Sequence, residues 1–148
     1  MATTEVEVTI RPMTQDDIDA VFEIDRKIGA DERAFTYADL ITGYIGGQIG
    51  YSFVAETSGK VVGFAMAAIT YVPEQVTEAC VIQVIGIDPD CRRQGIARKL
   101  IEALVRDCRS KGLKMVRVMV DQHDGQLQGL FESMDFRRGQ LIDYSINI

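Results

Sequence analysis

The residues of this chain best suited to chemistry form one dense stretch and a few scattered positions. The stretch is residues 88–98, DPDCRRQGIAR, in which a strand stops at Pro89 and a helix begins near Gly95. Proline has no N–H, so the ladder of the preceding strand ends there. The first amides of the helix have no partner within it, and with the positive end of the helix dipole they make an anion site. Gly95 lets a ligand oxygen approach the backbone, Ala97 keeps the next position small, and Arg92 and Arg93 add permanent charge suited to phosphate. Taken together these residues read as a diphosphate cradle. The competing reading is a basic, solvated helix start after an ordinary strand–helix turn. No Gly-Lys-Ser/Thr is present for a P-loop, and Gly95 is the only glycine in a turn where a dinucleotide fingerprint needs three.

The scattered positions could move protons. Glu78 stands just upstream of an apolar strand, with Glu74 a poorer candidate, and either could be a solvated loop carboxylate. His123 is the only histidine and lies in the polar loop DQHDGQ; an imidazole titrates in the range that acid–base work needs. Tyr144, near the end of the chain, is a further acid candidate or a plain sheet residue.

Composition narrows what such residues can serve. At 148 residues, 47% hydrophobic and 26% charged, the chain fits one globular domain over 1–148. A net charge of -6 argues against wrapping nucleic acid and sits comfortably with a cationic or amine substrate. No apolar run approaches the roughly 20 residues that span a bilayer, and the first residues lack the pattern of a secretory leader. Cys80, Cys91 and Cys108 have neither disulfide-framework nor metal-ligand spacing, so reduced thiols, a cytoplasmic protein and no metal are expected.

The elements that must position the cradle can be read from periodicity. Residues 5–10 alternate as a first strand that Arg11-Pro12 ends, and Thr14 can cap a helix with Asp16 and Asp17 in its first turn. Thr36 can cap a second helix. Residues 51–56 and 61–71 read as a hairpin across Ser58-Gly59, and 80–87 as a strand covered on both faces. Ile96, Leu100, Leu104 and Cys108 recur every four residues, which predicts a helix over 93–111 closed by Gly112. Residues 115–120 follow as a strand, 126–134 as a short helix, and the stretch from Phe136 onward as one or two strands. The order β-α-α-β-β-β-α-β-α-β-β, with a right-handed parallel crossover over 80–120, gives a mixed α/β sheet with helices on both sides.

These stretches together resemble the GNAT N-acetyltransferase superfamily. Arg92-Arg93-Gln94-Gly95-Ile96-Ala97 fits every fixed position of its Arg/Gln-x-x-Gly-x-Gly/Ala motif, and IRPMTQDD, VVGFAMAAI and LQGLFESMDF extend the likeness over nearly the whole chain. The resemblance implies a mostly antiparallel sheet with a splayed, parallel central strand pair, and acetyl-coenzyme A as donor to an amine. It implies that Ile85, Gly86 and Ile87 hold the pantetheine arm, and that the amides of Arg92 to Ala97, with Arg98 beside them, hold the pyrophosphate. Gly86 reads either as the bulge that opens the splay or as a tight packing contact.

The likeness breaks where catalysis would be expected. The position of the family's usual tyrosine is Phe131, that of its asparagine is Asp124, and that of a strand-borne base is Val81. Phe131 cannot donate a proton, and Gln83, expected on the same side as Val81, is no base. Glu78, His123 and Tyr144 remain the candidates. Relatives wall the acceptor site with the loop that corresponds to 28–37, where Asp31, Glu32 and nearby Asp39 could favour a cation, and with the turn around Gly139. A protein N-terminus, a lysine or a small-molecule amine all fit as acceptor. A homodimer and a coenzyme-A-binding module without turnover both stay open.

Overall fold

The computed structural model describes residues 7–29, 49–72 and 77–148 of the chain. The helix expected from Thr36, the residues Asp31, Glu32 and Asp39, and Glu74 lie outside them. Strand β1 is Thr9–Pro12, helix α1 Ile18–Gly29, β2 Phe53–Thr57, β3 Lys60–Val72 and β4 Thr77–Ile87. Helix α2 is Ile96–Ser110, β5 Val116–Val118 and α3 Gly125–Ser133. The first strand therefore includes Arg11 and Pro12, which were expected to end it.

The strands form one sheet in the order β1-β2-β3-β4-β5, antiparallel up to β4 and parallel between β4 and β5. Helix α1 lays Val21 and Ile24 on Val54, Phe64, Met66 and Val84. On the other face α2 buries Ile96, Leu100, Ile101, Leu104 and Cys108 against Ala65, Ala67, Cys80 and Ile82, with Phe131 of α3 in the same core. The four-residue repeat seen in the sequence is thus the buried stripe of α2.

A bulge in β4 decides which side chains reach which face. Met66 pairs with Val84 and Ala67 with Ile82, so Gln83 is the extra residue. An extra residue reverses the alternation beyond it. Cys80 and Ile82 accordingly pack towards α2, whereas Val84 packs towards α1. Gln83 itself is exposed, and the expected shared side for Val81 and Gln83 is lost. Gly86 is not the bulge. It pairs in register with Phe64, and a Cβ there would meet the Phe64 ring at 2.5 Å. The packing contact is its role.

Residues 137–148 contain no strand, contrary to the expectation for the stretch after Phe136. Helix α3 ends with the Phe136 amide donating to the Phe131 carbonyl at 3.0 Å and Asp135 left-handed at φ 68°. No residue of 137–148 has a positive φ, so no tight hairpin turn returns the chain to β5.

Candidate functional site

The cradle is built from the end of β4 outward. The Asp88 amide donates to the Val62 carbonyl at 2.8 Å, the last tie to β3. Its carboxylate, almost wholly buried, accepts from the Asp90 amide at 3.0 Å and from Lys27 Nζ at 3.1 Å. These bonds hold the Asp88 carboxyl below the usual carboxylate range, the Asp90 amide most of all and then Lys27. Pro89–Cys91 forms a short 3-10 turn, and Arg92 is extended. Arg93 and Gly95 then take left-handed conformations at φ 68° and 72°. Left-handed residues alternating with a right-handed or extended one turn successive amides into a shared hollow, the geometry that holds anions.

Helix α2 thus starts at Ile96 with Gly95 as its N-cap, three residues later than the sequence predicted. The amides of Ile96, Ala97 and Arg98 lie in its first turn and have no intrahelical acceptor. Arg92, Arg93, Gln94 and Gly95 are exposed, while Ile96 is buried and fixes the helix to the core. A Cβ on Gly95 would meet nothing within 4 Å. The space over the Gly95 backbone is therefore open. Arg98 donates to Ser133 Oγ, which latches the start of α2 to the end of α3.

Beside the cradle, β4 and β5 part. Their pairing runs only from Cys80–Val116 to Ile82–Val118, while β4 continues to Ile87. Among the described residues no strand lies beyond β4 at Ile85, Gly86 and Ile87, so a gap opens there towards the cradle. The splay expected of the central pair is present.

The proton-transfer candidates are not gathered around this gap. Glu78 is exposed at the start of β4, opposite Tyr71. Ile87 lies nine residue steps further along the strand, roughly 30 Å at about 3.3 Å per step. His123 is exposed in the loop after β5, and its amide donates to Asp121 Oδ1 at 2.7 Å. Tyr144 is 89% exposed, on the segment outside the sheet. Asp124 caps α3, its carboxylate accepting from the Leu127 amide at 3.0 Å. Phe131 is 4% exposed and meets the Phe136 ring edge-on at 5.0 Å. Val81 is half-buried between Ala68 and Arg117.

Sequence reasoning missed the Lys27–Asp88 pair that anchors the cradle to α1. Asp88-Pro89 advertises a cap, but nothing local announces a partner 61 residues away. Cys80, Cys91 and Cys108 are free thiols; a hydrogen bond with Cys108, and then burial, push the Cys80 thiol up. No group of three or more His, Cys, Asp or Glu among the described residues could hold a metal ion, and no described helix is long and apolar enough to cross a membrane.

The sequence pattern of the acetyltransferase (GNAT) family matches residues 18–136. The chain is 23% identical over 133 residues to the ribosomal protein bS18-alanine N-acetyltransferase of Escherichia coli (strain K12), covering 90% of this chain and 83% of that protein. It is 33% identical over 87 residues to the mycothiol acetyltransferase of Thermobispora bispora, but there it spans 30% of the relative's length. Among solved structures, an aminoglycoside N-acetyltransferase in complex with CoA superposes with a TM-score of 0.79 at 20% identity, covering 99% of each chain. A ribosomal-protein-alanine N-acetyltransferase from Brucella melitensis biovar Abortus 2308 gives 0.74 at 18% identity, over 96% of this chain and 100% of that one.

Proposed function

This chain belongs to the GNAT acetyltransferase family, and we propose that it transfers the acetyl group of acetyl-coenzyme A directly to a primary amine. The turn between β4 and α2 carries the proposal: Arg93 and Gly95 are left-handed, the space over Gly95 is open, and two arginines flank it. The amides from Arg92 to Ala97 would hold the pyrophosphate, with Arg98 beside them. The open edge of β4 at Ile85, Gly86 and Ile87 would hold the pantetheine arm. When bound, the thioester supplies an acetyl carbon activated for attack.

The chain's own part is binding, alignment and polarisation. Holding an amine nitrogen against the thioester carbonyl replaces a bimolecular encounter and accounts for much of the rate. A backbone N–H near Ile87 would stabilise the carbonyl oxygen as the N–C bond forms and the C–S bond breaks. The thiolate takes up one proton and the amine gives one up. In this reading both exchange with water, because Phe131 has no proton to give and Glu78, His123 and Tyr144 are exposed and dispersed. The acceptor follows from the chemistry alone: a protein N-terminus, a lysine or a small-molecule amine, met in the cytoplasm.

One observation favours a second reading, a coenzyme-A-binding module without turnover. The family's tyrosine position is filled by a buried phenylalanine in the core of α2 and α3. A panel of amines with acetyl-coenzyme A, followed by free-thiol release, separates the two. Release that depends on the amine is expected. Tight coenzyme binding with no release on any amine would leave the second reading standing.

A further inference from the structure

The two strands that part beside the cradle carry a single charge. Of residues 79–87 and 115–120, Arg117 alone is charged. It stands half-buried in β5, in register with Val81 and one residue before the Ile82–Val118 pair at which the strands part. Side chains alternate along a strand. Val116, Val118 and Val120 pack on the core with α2, so Met115, Arg117 and Met119 belong to the opposite face. A guanidinium nitrogen of Arg117 donates to Met115 Sδ at 3.8 Å, and Met119 is 81% exposed. A cationic fork between two thioethers is thus set at the closed end of the gap.

The chemistry of these three side chains narrows what they can hold. Methionines are flexible and adapt to varied apolar shapes, whereas a guanidinium offers donors in a fixed fork that matches a carboxylate. With five donors, contacts within the chain and an incoming carboxylate can be served together. One positive charge balances one carboxylate, while a phosphate monoester, at about -1.5 to -2 near neutral pH, would ask for more. The net charge of -6 favours a cationic substrate for the chain as a whole. Exposed charges more than about 8–10 Å away are screened at physiological salt, however, and the charge set in these two strands is positive.

In the reading proposed above, the pantetheine arm runs from the cradle past Ile87, Gly86 and Ile85, so an acceptor meets it towards the closed end of the gap. We propose that Arg117 selects that acceptor: an amine whose own molecule carries a carboxylate, held by the guanidinium fork while Met115 and Met119 line its apolar part. The class takes in free amino acids and peptides with an acidic residue beside the N-terminus, and it leaves out polycationic amines. The inference rests on the acetyl-transfer reading and names its substrate class.

Free-thiol release from acetyl-coenzyme A on matched acceptors tests it: alanine, leucine and phenylalanine, each against its amide, and alanyl-glutamate amide against alanyl-glutamine amide. The carboxylate member should lead in kcat/KM by about 10–100-fold, the contribution of a hydrogen bond to a charged group, carried mainly by KM. A lead among the amino acids alone would point to small acceptors, and one in the dipeptides alone to a protein N-terminus. Arg117→Gln should bring the ratio close to one, and Arg117→Lys, with the charge but not the fork, should lie between. A ratio taken within one preparation is unaffected by partial unfolding. Calorimetric titration of the same compounds into protein loaded with coenzyme A reads the preference without turnover. A chain that released no thiol on any amine would therefore overturn acetyl transfer, while the titration still decided the role of Arg117. Equal rate and affinity within every pair, a lead for the amides, or a carboxylate preference that survives Arg117→Gln would overturn the inference.

Discussion

The turn after β4 and the region after β5 are both strand-to-helix connections on the same sheet, and they are built to different standards. The first is tied down on three sides: Asp88 to β3, Lys27 of α1 to Asp88, and Ile96 into the core. The second is capped locally by Asp124 and Asp121, leaves His123 exposed, and leads into a segment outside the sheet. A backbone cradle works only if its amides are fixed in advance, and a proton-transfer side chain works only beside the reacting atoms. Among the described residues, the donor half of the proposed reaction therefore has a preorganised candidate site, while the acid–base candidates Glu78, His123 and Tyr144 are exposed and dispersed.

The largest effect expected from breaking this contrast lies in α2, on which the cradle rests. Leu100 is wholly buried, and Leu100→Ala should cost about 2–5 kcal/mol in urea unfolding. A loss well under that range would mean that the cradle's helix is loosely held. Next comes Phe131→Tyr. With its ring buried against Phe136, the added hydroxyl should cost about 1–3 kcal/mol and leave thiol release flat. Undiminished stability with faster release would instead put residue 131 beside the sulfur and restore an acid to the second region.

A smaller effect is expected at Gly95. Its left-handed φ makes Gly95→Val strained by about 1–2 kcal/mol, although its Cβ meets no atom of the chain. Gly95→Asn should fold better, since asparagine tolerates this conformation, while still placing a side chain in the hollow. Titration should show both variants binding coenzyme A more weakly than the wild type. Equal affinity in the asparagine variant would move the phosphates elsewhere.

How much of this was legible depends on whether a feature is local. The stripe of α2, the hairpin at Ser58-Gly59 and the composition of the cradle are set by neighbours in sequence, and all were readable. The left-handed Arg93 was not, because only the closure of the turn demands it. The Gln83 bulge depends on how β3 and β4 pair, and the Lys27–Asp88 pair on how α1 packs. Alternation in 142–148 suggests a strand, but strand pairing is decided by distant partners, and residues 137–148 contain no strand.

The smallest effect concerns acid. The Asp88 carboxyl is held low by the Asp90 amide and Lys27, and Asp17 by the Arg11 guanidinium. A depressed carboxyl contributes stability that is present above its unfolded value, about 3.9, and lost as pH falls through the folded one. Melting temperature should therefore decline as pH is lowered below about 4. Asp88→Asn still accepts the Asp90 amide but loses the charge that faces Lys27, so it should lower the neutral melt by roughly what acid removes from the wild type and flatten that acid decline. An unaltered acid limb would mean that Asp88 is not held as described.

The most direct test of the central claim, that the turn after β4 is a coenzyme cradle, is a thermal and urea melt with and without acetyl-coenzyme A. At roughly 100 times the dissociation constant the unfolding free energy should rise by about 2.7 kcal/mol, by mass action alone. Gly95→Asn should show a smaller rise at the same concentration. A wild-type melt that saturating coenzyme leaves unchanged would contradict the account, whatever the chain resembles.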